Sequence, residues 1–175
     1  MASLMARTAG AVLVLLGAGG IGRMFSSRFL TRLRLLEEAR RLVYLLKGEI
    51  LYANSSLDEA FCRAGHRLGG RMGGLAIQVA ERIGEKQGRG FGEIWREEVK
   101  NLQDLPLSKE DLGQLEEFGR QLGYLDRQMQ ERTMLLYLEQ LELSIRSMRE
   151  RRQEACRLYT GLSLAGGIFF IILMC

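Results

Sequence analysis

Residues 32–50 read RLRLLEEARRLVYLLKGEI. Leu36, Ala39, Val43, Leu46 and Ile50 recur at alternating spacings of three and four. That period puts them on one face of a helix, with the charged residues opposite. A helix here also settles a rival reading just upstream. Gly17-Ala18-Gly19-Gly20-Ile21-Gly22 follows the apolar run AVLVLL and satisfies G-x-G-x-x-G, the dinucleotide-binding fingerprint. That site needs a second strand about 20 residues on, ending in an acid for the ribose. Glu37 and Glu38 stand at that distance but lie inside the helical pattern. No later stretch supplies alternating strand and helix, so a dinucleotide-binding enzyme is a distant alternative.

Outward from this helix the apolar stripes continue. Ser56 opens a second helix, with Glu59 three residues on as a capping box and Leu57, Ala60, Phe61, Ala64 and Leu68 as its inner face. Gly69, Gly70, Gly73 and Gly74 suggest a turn, and a third helix fits residues 75–83. Gly84, Gly88, Gly90 and Gly92 mark the next loop. A fourth helix holds Ile94, Trp95, Val99 and Leu102. After a linker with Pro106, the only proline, Ser108 and Asp111 give a capping-type start to a fifth helix. Leu112, Leu115, Phe118 and Leu122 line it, and Gly123 is placed to end it. Asp126 is positioned as the next N-cap. Leu138, Leu141, Ile145 and Met148 then form a last stripe that runs on without a breaker. The sequence predicts an all-α fold: a bundle of about six helices whose first and last helices continue into transmembrane spans.

Two uncharged apolar runs carry that last expectation. Residues 8–22, TAGAVLVLLGAGGIG, lie between Arg7 and Arg23; residues 158–175 read LYTGLSLAGGIFFIILMC. The first is 15 residues, about 22 Å of helix, short of a hydrocarbon layer of about 30 Å. Counting the stem of Arg7 as apolar extends it over residues 4–25. Both runs carry small residues four apart, such as Ala18 with Gly22 and Gly161 with Ala165, a spacing that lets helices approach closely in lipid. The division expected is a tail at 1–7, a transmembrane helix at 8–25, a cytosolic helical domain at 26–157 and a second transmembrane helix at 158–175.

Charge supports this arrangement. The net +4 hides an acidic body, with 13 basic and 17 acidic residues between positions 42 and 145. The excess of arginine flanks the apolar runs: Arg23, Arg28, Arg32 and Arg34 after the first, Arg149, Arg151, Arg152 and Arg157 before the second. Positive flanks stay on the cytosolic side, so both place the middle of the chain there. They also oppose export of the first run as a signal peptide, its plain alternative. Such collars suit anionic lipid head groups. The acidic body argues against nucleic acid as a partner.

The chain offers little for chemistry. Its one histidine, His66, lies four residues after Cys62, on the same helix face, but no further Cys or His completes a metal site. Three cysteines, Cys62, Cys156 and Cys175, form no paired spacing. Glu37 with Arg41 and Glu93 with Glu97 read as solvated pairs along a helix. Trp95 reads as a core anchor. The sequence therefore points to no enzyme, no cofactor and no metal.

Two longer strings carry a family resemblance. Glu49-Ile50-Leu51-Tyr52-Ala53-Asn54-Ser55-Ser56-Leu57-Asp58-Glu59-Ala60 resembles the E-I-x-Y-x-x-T-P-L-x-E-A segment of the stage III sporulation protein AB family, with Ser55-Ser56 in place of Thr-Pro. Leu122-Gly123-Tyr124-Leu125-Asp126 with Gln130 resembles that family's L-G-x-x-D-x-x-x-Q motif, and Trp95 in IWREEV agrees too. The resemblance implies a place in the assembly that connects the mother cell to the engulfed forespore. It also implies a domain similar to the cytoplasmic domains of type II secretion and type IV pilus platform proteins. The partners it implies are a cognate secretion-type ATPase and other membrane members of that assembly. The location it implies is the mother-cell side of the membrane around the forespore. A generic membrane-anchored adaptor, unrelated to sporulation, is the alternative.

Overall fold

The computed structural model describes the backbone of residues 27–85, 88–123 and 126–174 and, apart from Arg127, side chains as far as Arg151. Every regular element among these residues is helical: α1 (27–47), α2 (Leu57–Leu68), α3 (Gly70–Gly84), α4 (Phe91–Lys100), α5 (Lys109–Leu122) and α6 (Arg127–Met174). The all-α expectation holds, and so does the number of helices. The inner stripes predicted for α1 and α6 are buried throughout.

α1 passes without a break into a π-helical turn, Gly48–Tyr52. The wider turn shows in the bond from the Ala53 amide to the Gly48 carbonyl, five residues back, at 3.1 Å. Asn54 then reverses the chain with φ +58°, a left-handed conformation that asparagine tolerates better than most residues.

The glycine stretch after α2 departs from its sequence reading. Only Gly69 and Gly70 make the turn, with φ +64° and +65°, and α3 starts at Gly70 rather than near Leu75. Gly73 lies inside α3, facing Gly65 of α2. A Cβ on either would come within 2.8 Å of the other's carbonyl oxygen. The glycines thus let two antiparallel helices touch backbone to backbone, and that packing outweighs glycine's poor helix propensity. The carboxylate of Glu38 on α1 accepts from the amides of Arg71 and Met72, at 3.0 and 3.2 Å, and so caps α3.

α3 ends at Gly84 and α4 begins at Phe91, with Gly92 already inside it. α5 begins as predicted: the Asp111 amide donates to Ser108 Oγ at 3.1 Å, and the Ser108 amide donates to Asp111 Oδ2 at 2.8 Å. The matching capping box at Ser56 does not form. Ser56 makes no side-chain cap, and Glu59 instead pairs with Arg63 one turn along α2.

At the centre sits an aromatic cluster. Phe61 of α2 contacts Phe91 and Trp95 of α4 at ring-centroid distances of 5.5 and 5.6 Å. Trp95 contacts Phe118 of α5 at 6.0 Å, and Phe118 stacks on Tyr137 of α6 at 4.7 Å. The rings join four helices, in offset and edge geometries that add to simple area burial.

α1 and α6 run antiparallel. Glu37 pairs with Arg149 at 2.6 Å, Arg40 with Glu142 at 3.9 Å and Lys47 with Glu131 at 3.6 Å. The start of α1 and the far part of α6 therefore leave the bundle at the same end. α6 is one unbroken helix of 48 residues, about 72 Å long. Among the described residues, no helix is long and apolar enough to cross a membrane. The first predicted span, the glycine fingerprint at 17–22 and Arg23 lie outside the described residues, as do the side chains of the second span.

Candidate docking surfaces

The first motif folds around the π turn. Glu49 is turned inward there. It takes the Ser55 hydroxyl at 3.4 Å and stands 3.5 Å from both Arg63 and Arg67 of α2. This one carboxylate fastens α1 to α2. Leu57 packs against the core, and Glu59 stays at the surface with Arg63. Tyr52 is different: its side chain is 82% exposed, beside a recess of about 370 Å³ that it lines with Leu51, Gln128 and Glu131.

The second motif joins α5 to α6. Leu122 is fully buried. Gly123 has φ −74°, so it does not end α5 through a left-handed backbone. It is small because a Cβ there would lie 2.8 Å from the Phe91 ring. Asp126 Oδ1 accepts the Met129 amide at 2.9 Å, the predicted cap of α6. Gln130 donates from Nε2 to the Leu122 carbonyl at 3.0 Å, filling an acceptor left open at the end of α5. Trp95 is fully buried, and its Nε1 donates to the Leu115 carbonyl at 2.8 Å.

A profile of the stage III sporulation protein AB family matches residues 7–175. The chain belongs to that family. It is 23% identical over 171 residues to stage III sporulation protein AB of Bacillus subtilis (strain 168), covering 97% of this chain and 99% of that one. A solved structure of a stage III sporulation protein AB shares the fold, with a TM-score of 0.64 at 24% identity, over 71% of this chain and 98% of that one.

Most motif residues of this family member thus pack, cap or pair within the bundle, with Tyr52 the exposed exception. The arginine flanks divide in the same way. Arg32 reaches Asp111 of α5 and Arg149 reaches Glu37 of α1, whereas Arg28, Arg34 and Arg151 are exposed. The side chains of Arg152 and Arg157 lie outside the described residues. Pairing across helices was not legible locally. Glu37 bridges to α6 rather than to Arg41, and Glu97 is shared by Arg82 and Arg89. Glu38, at the distance where a ribose-binding acid would stand, caps α3 instead. Cys62 and His66 line one shallow surface recess with Asp58, Glu59 and Glu81, and no metal-ligating group of three forms among the described residues.

Proposed function

We propose that this chain is a membrane-anchored scaffold of the sporulation assembly that docks a cytosolic secretion-type ATPase and has no turnover of its own. Its domain, residues 26–157, faces the cytosol on the mother-cell side. Family membership supports the sporulation role. The observation that carries the anchoring is the antiparallel clamp of α1 on α6. Glu37 with Arg149 holds together the two helix segments that lead to the apolar runs. The start of α1 and the far part of α6 then lie at one end of the bundle, and the π turn and the α5–α6 junction occupy the other. One 48-residue rod, α6, runs from that far end through the C-terminal run, a stiff path for a push on the domain.

The test is recruitment of the cognate ATPase to liposomes containing the full chain, together with hydrolysis, across a salt series. Recruitment that needs this chain supports the reading. Hydrolysis by this chain alone, or recruitment indifferent to it, overturns it. Orientation is checked at Cys62 in a background where Cys156 and Cys175 are serine. An impermeant thiol reagent should spare Cys62 in intact cells and modify it after lysis; labelling in intact cells overturns the topology.

A further inference from the structure

We propose that the outer face of α1, extended sideways by the first turn of α3, is a docking strip for an acidic helix of a partner protein. Arginines elsewhere in the bundle are mostly engaged: Arg32, Arg40, Arg63, Arg82, Arg96 and Arg149 all close ion pairs. Arg34, Arg41 and Arg71 are exposed, and among the described residues their guanidinium groups meet no carboxylate. Arg34 and Arg41 are seven residues apart on α1, two turns along one face, about 10 Å. That face lies opposite the buried stripe of Ala39, Val43 and Leu46. Glu37 and Glu38 lie between them but are committed, Glu37 to Arg149 of α6 and Glu38 to the α3 amides of Arg71 and Met72. The same contact brings Arg71 beside the pair. Arg34 and Arg41 thus share one exposed face of α1, and the backbone of Arg71, at the positive end of α3, is tied to that face through Glu38.

Position 48 completes the strip. It falls seven residues after Arg41 and is glycine, and a Cβ added there would meet nothing within 4 Å. A partner helix can approach closely at that point. Two guanidinium forks two turns apart on a straight rod match carboxylates seven apart on a second helix laid alongside, at the usual separation of about 8–10 Å. Arg71, to one side, fixes the direction of the partner. An anionic lipid surface fits less well. On the anchored reading proposed above, α1 points away from the membrane, so Arg41 stands about 10 Å further from it than Arg34. One head-group layer does not reach both.

The experiment uses the full chain in nanodiscs of zwitterionic lipid. The probe is a fluorescein-labelled, stapled helical peptide of alanine and glutamine bearing two glutamates seven residues apart. A control peptide of the same composition has them five apart. Fluorescence anisotropy at low salt should show the seven-spaced peptide binding. Arg34→Glu with Arg41→Glu and Arg71→Glu should weaken it at least about tenfold. Arg132→Glu, an exposed arginine on α6, should leave binding unchanged, and circular dichroism should show every variant folded. Equal binding of both peptides, or no loss in the triple variant, overturns the proposal. So does a triple variant that keeps the peptide but no longer floats with anionic vesicles, which makes the strip a lipid contact. If the chain does not enter nanodiscs, the anchoring reading fails on its own, and the same titration in detergent still decides the strip.

Discussion

Arg32 on α1 grips Asp111 on α5 with two nitrogens, Nε at 2.7 Å from Oδ2 and Nη2 at 3.0 Å from Oδ1. Its Nη2 also reaches Ser108 Oγ at 3.1 Å. The carboxylate that caps α5 is therefore the one that ties α5 to the first helix. Burial is the largest single influence on Asp111 and opposes its ionisation. The hydrogen bonds from Arg32 and Ser108 together outweigh it and hold the carboxyl below its ordinary range. A lowered folded value means that the contribution is complete above the unfolded pKa, about 4, and is lost as pH falls through the folded value. Asp111→Asn should destabilise the domain by about 1–3 kcal/mol at neutral pH, because it leaves Arg32 without its anion. Urea unfolding from pH 7 down to pH 2 checks this. The variant and the parent should converge in the acid limb, and a constant difference at all pH values would refute the assignment.

Two glycines of α5 should respond in opposite directions. A Cβ at Gly119 would overlap the Trp95 indole, which is locked by its bond to the Leu115 carbonyl. Gly119→Ala should therefore cost about 1–3 kcal/mol through overpacking. Gly113 is exposed, within the same helix, with nothing within 4 Å of an added Cβ. Gly113→Ala should stabilise by about 0.4–1 kcal/mol, since alanine loses less backbone freedom on folding. Thermal unfolding of the two variants side by side decides it; the same sign for both would contradict the packing described.

The two kinds of glycine also show where sequence reading stops. The stripes of α1, α2, α5 and α6 were legible because burial on a helix imposes a period, and the caps at Ser108 and Asp126 because their partners lie three residues away. A glycine letter does not say whether it serves a left-handed turn, as at Gly69, or a close approach, as at Gly73 and Gly119. The pairings of Arg32 with Asp111 and Glu37 with Arg149 span 79 and 112 positions, so no local pattern announces them. For that reason Arg32 and Arg149 read as parts of lipid-facing collars although each has a carboxylate partner inside the protein.

The junction between α5 and α6 gives a test of structural against partner roles. Asp126→Ala should lower stability by about 1 kcal/mol through loss of the cap on α6. Gln130→Ala should cost about 0.5–1.5 kcal/mol by freeing the Leu122 carbonyl. Asp126→Asn keeps an oxygen acceptor and should recover most of the loss. Melting temperatures of the three variants test this. If Asp126→Asn melts like the parent yet no longer recruits the ATPase, capping does not account for the residue.

Tyr52 should behave in the opposite way to its neighbours. Glu49 in the same motif is buried and holds two arginines of α2, so Glu49→Gln should weaken the packing of α2 on the π turn. Tyr52 shows most of its ring to solvent and contributes little burial to lose. Tyr52→Ala should leave stability within about 0.5 kcal/mol of the parent, the usual range for surface changes. An exposed aromatic ring beside a recess is also the kind of anchor that interfaces favour. On the scaffold reading it lies at the end of the bundle away from the membrane, open to a cytosolic partner. Tyr52→Ala should then reduce ATPase recruitment to liposomes at least about tenfold, and Tyr52→Phe, which keeps the ring, should reduce it less. A Tyr52→Ala protein that melts normally and recruits the ATPase as well as the parent would remove this end of the bundle from the interface.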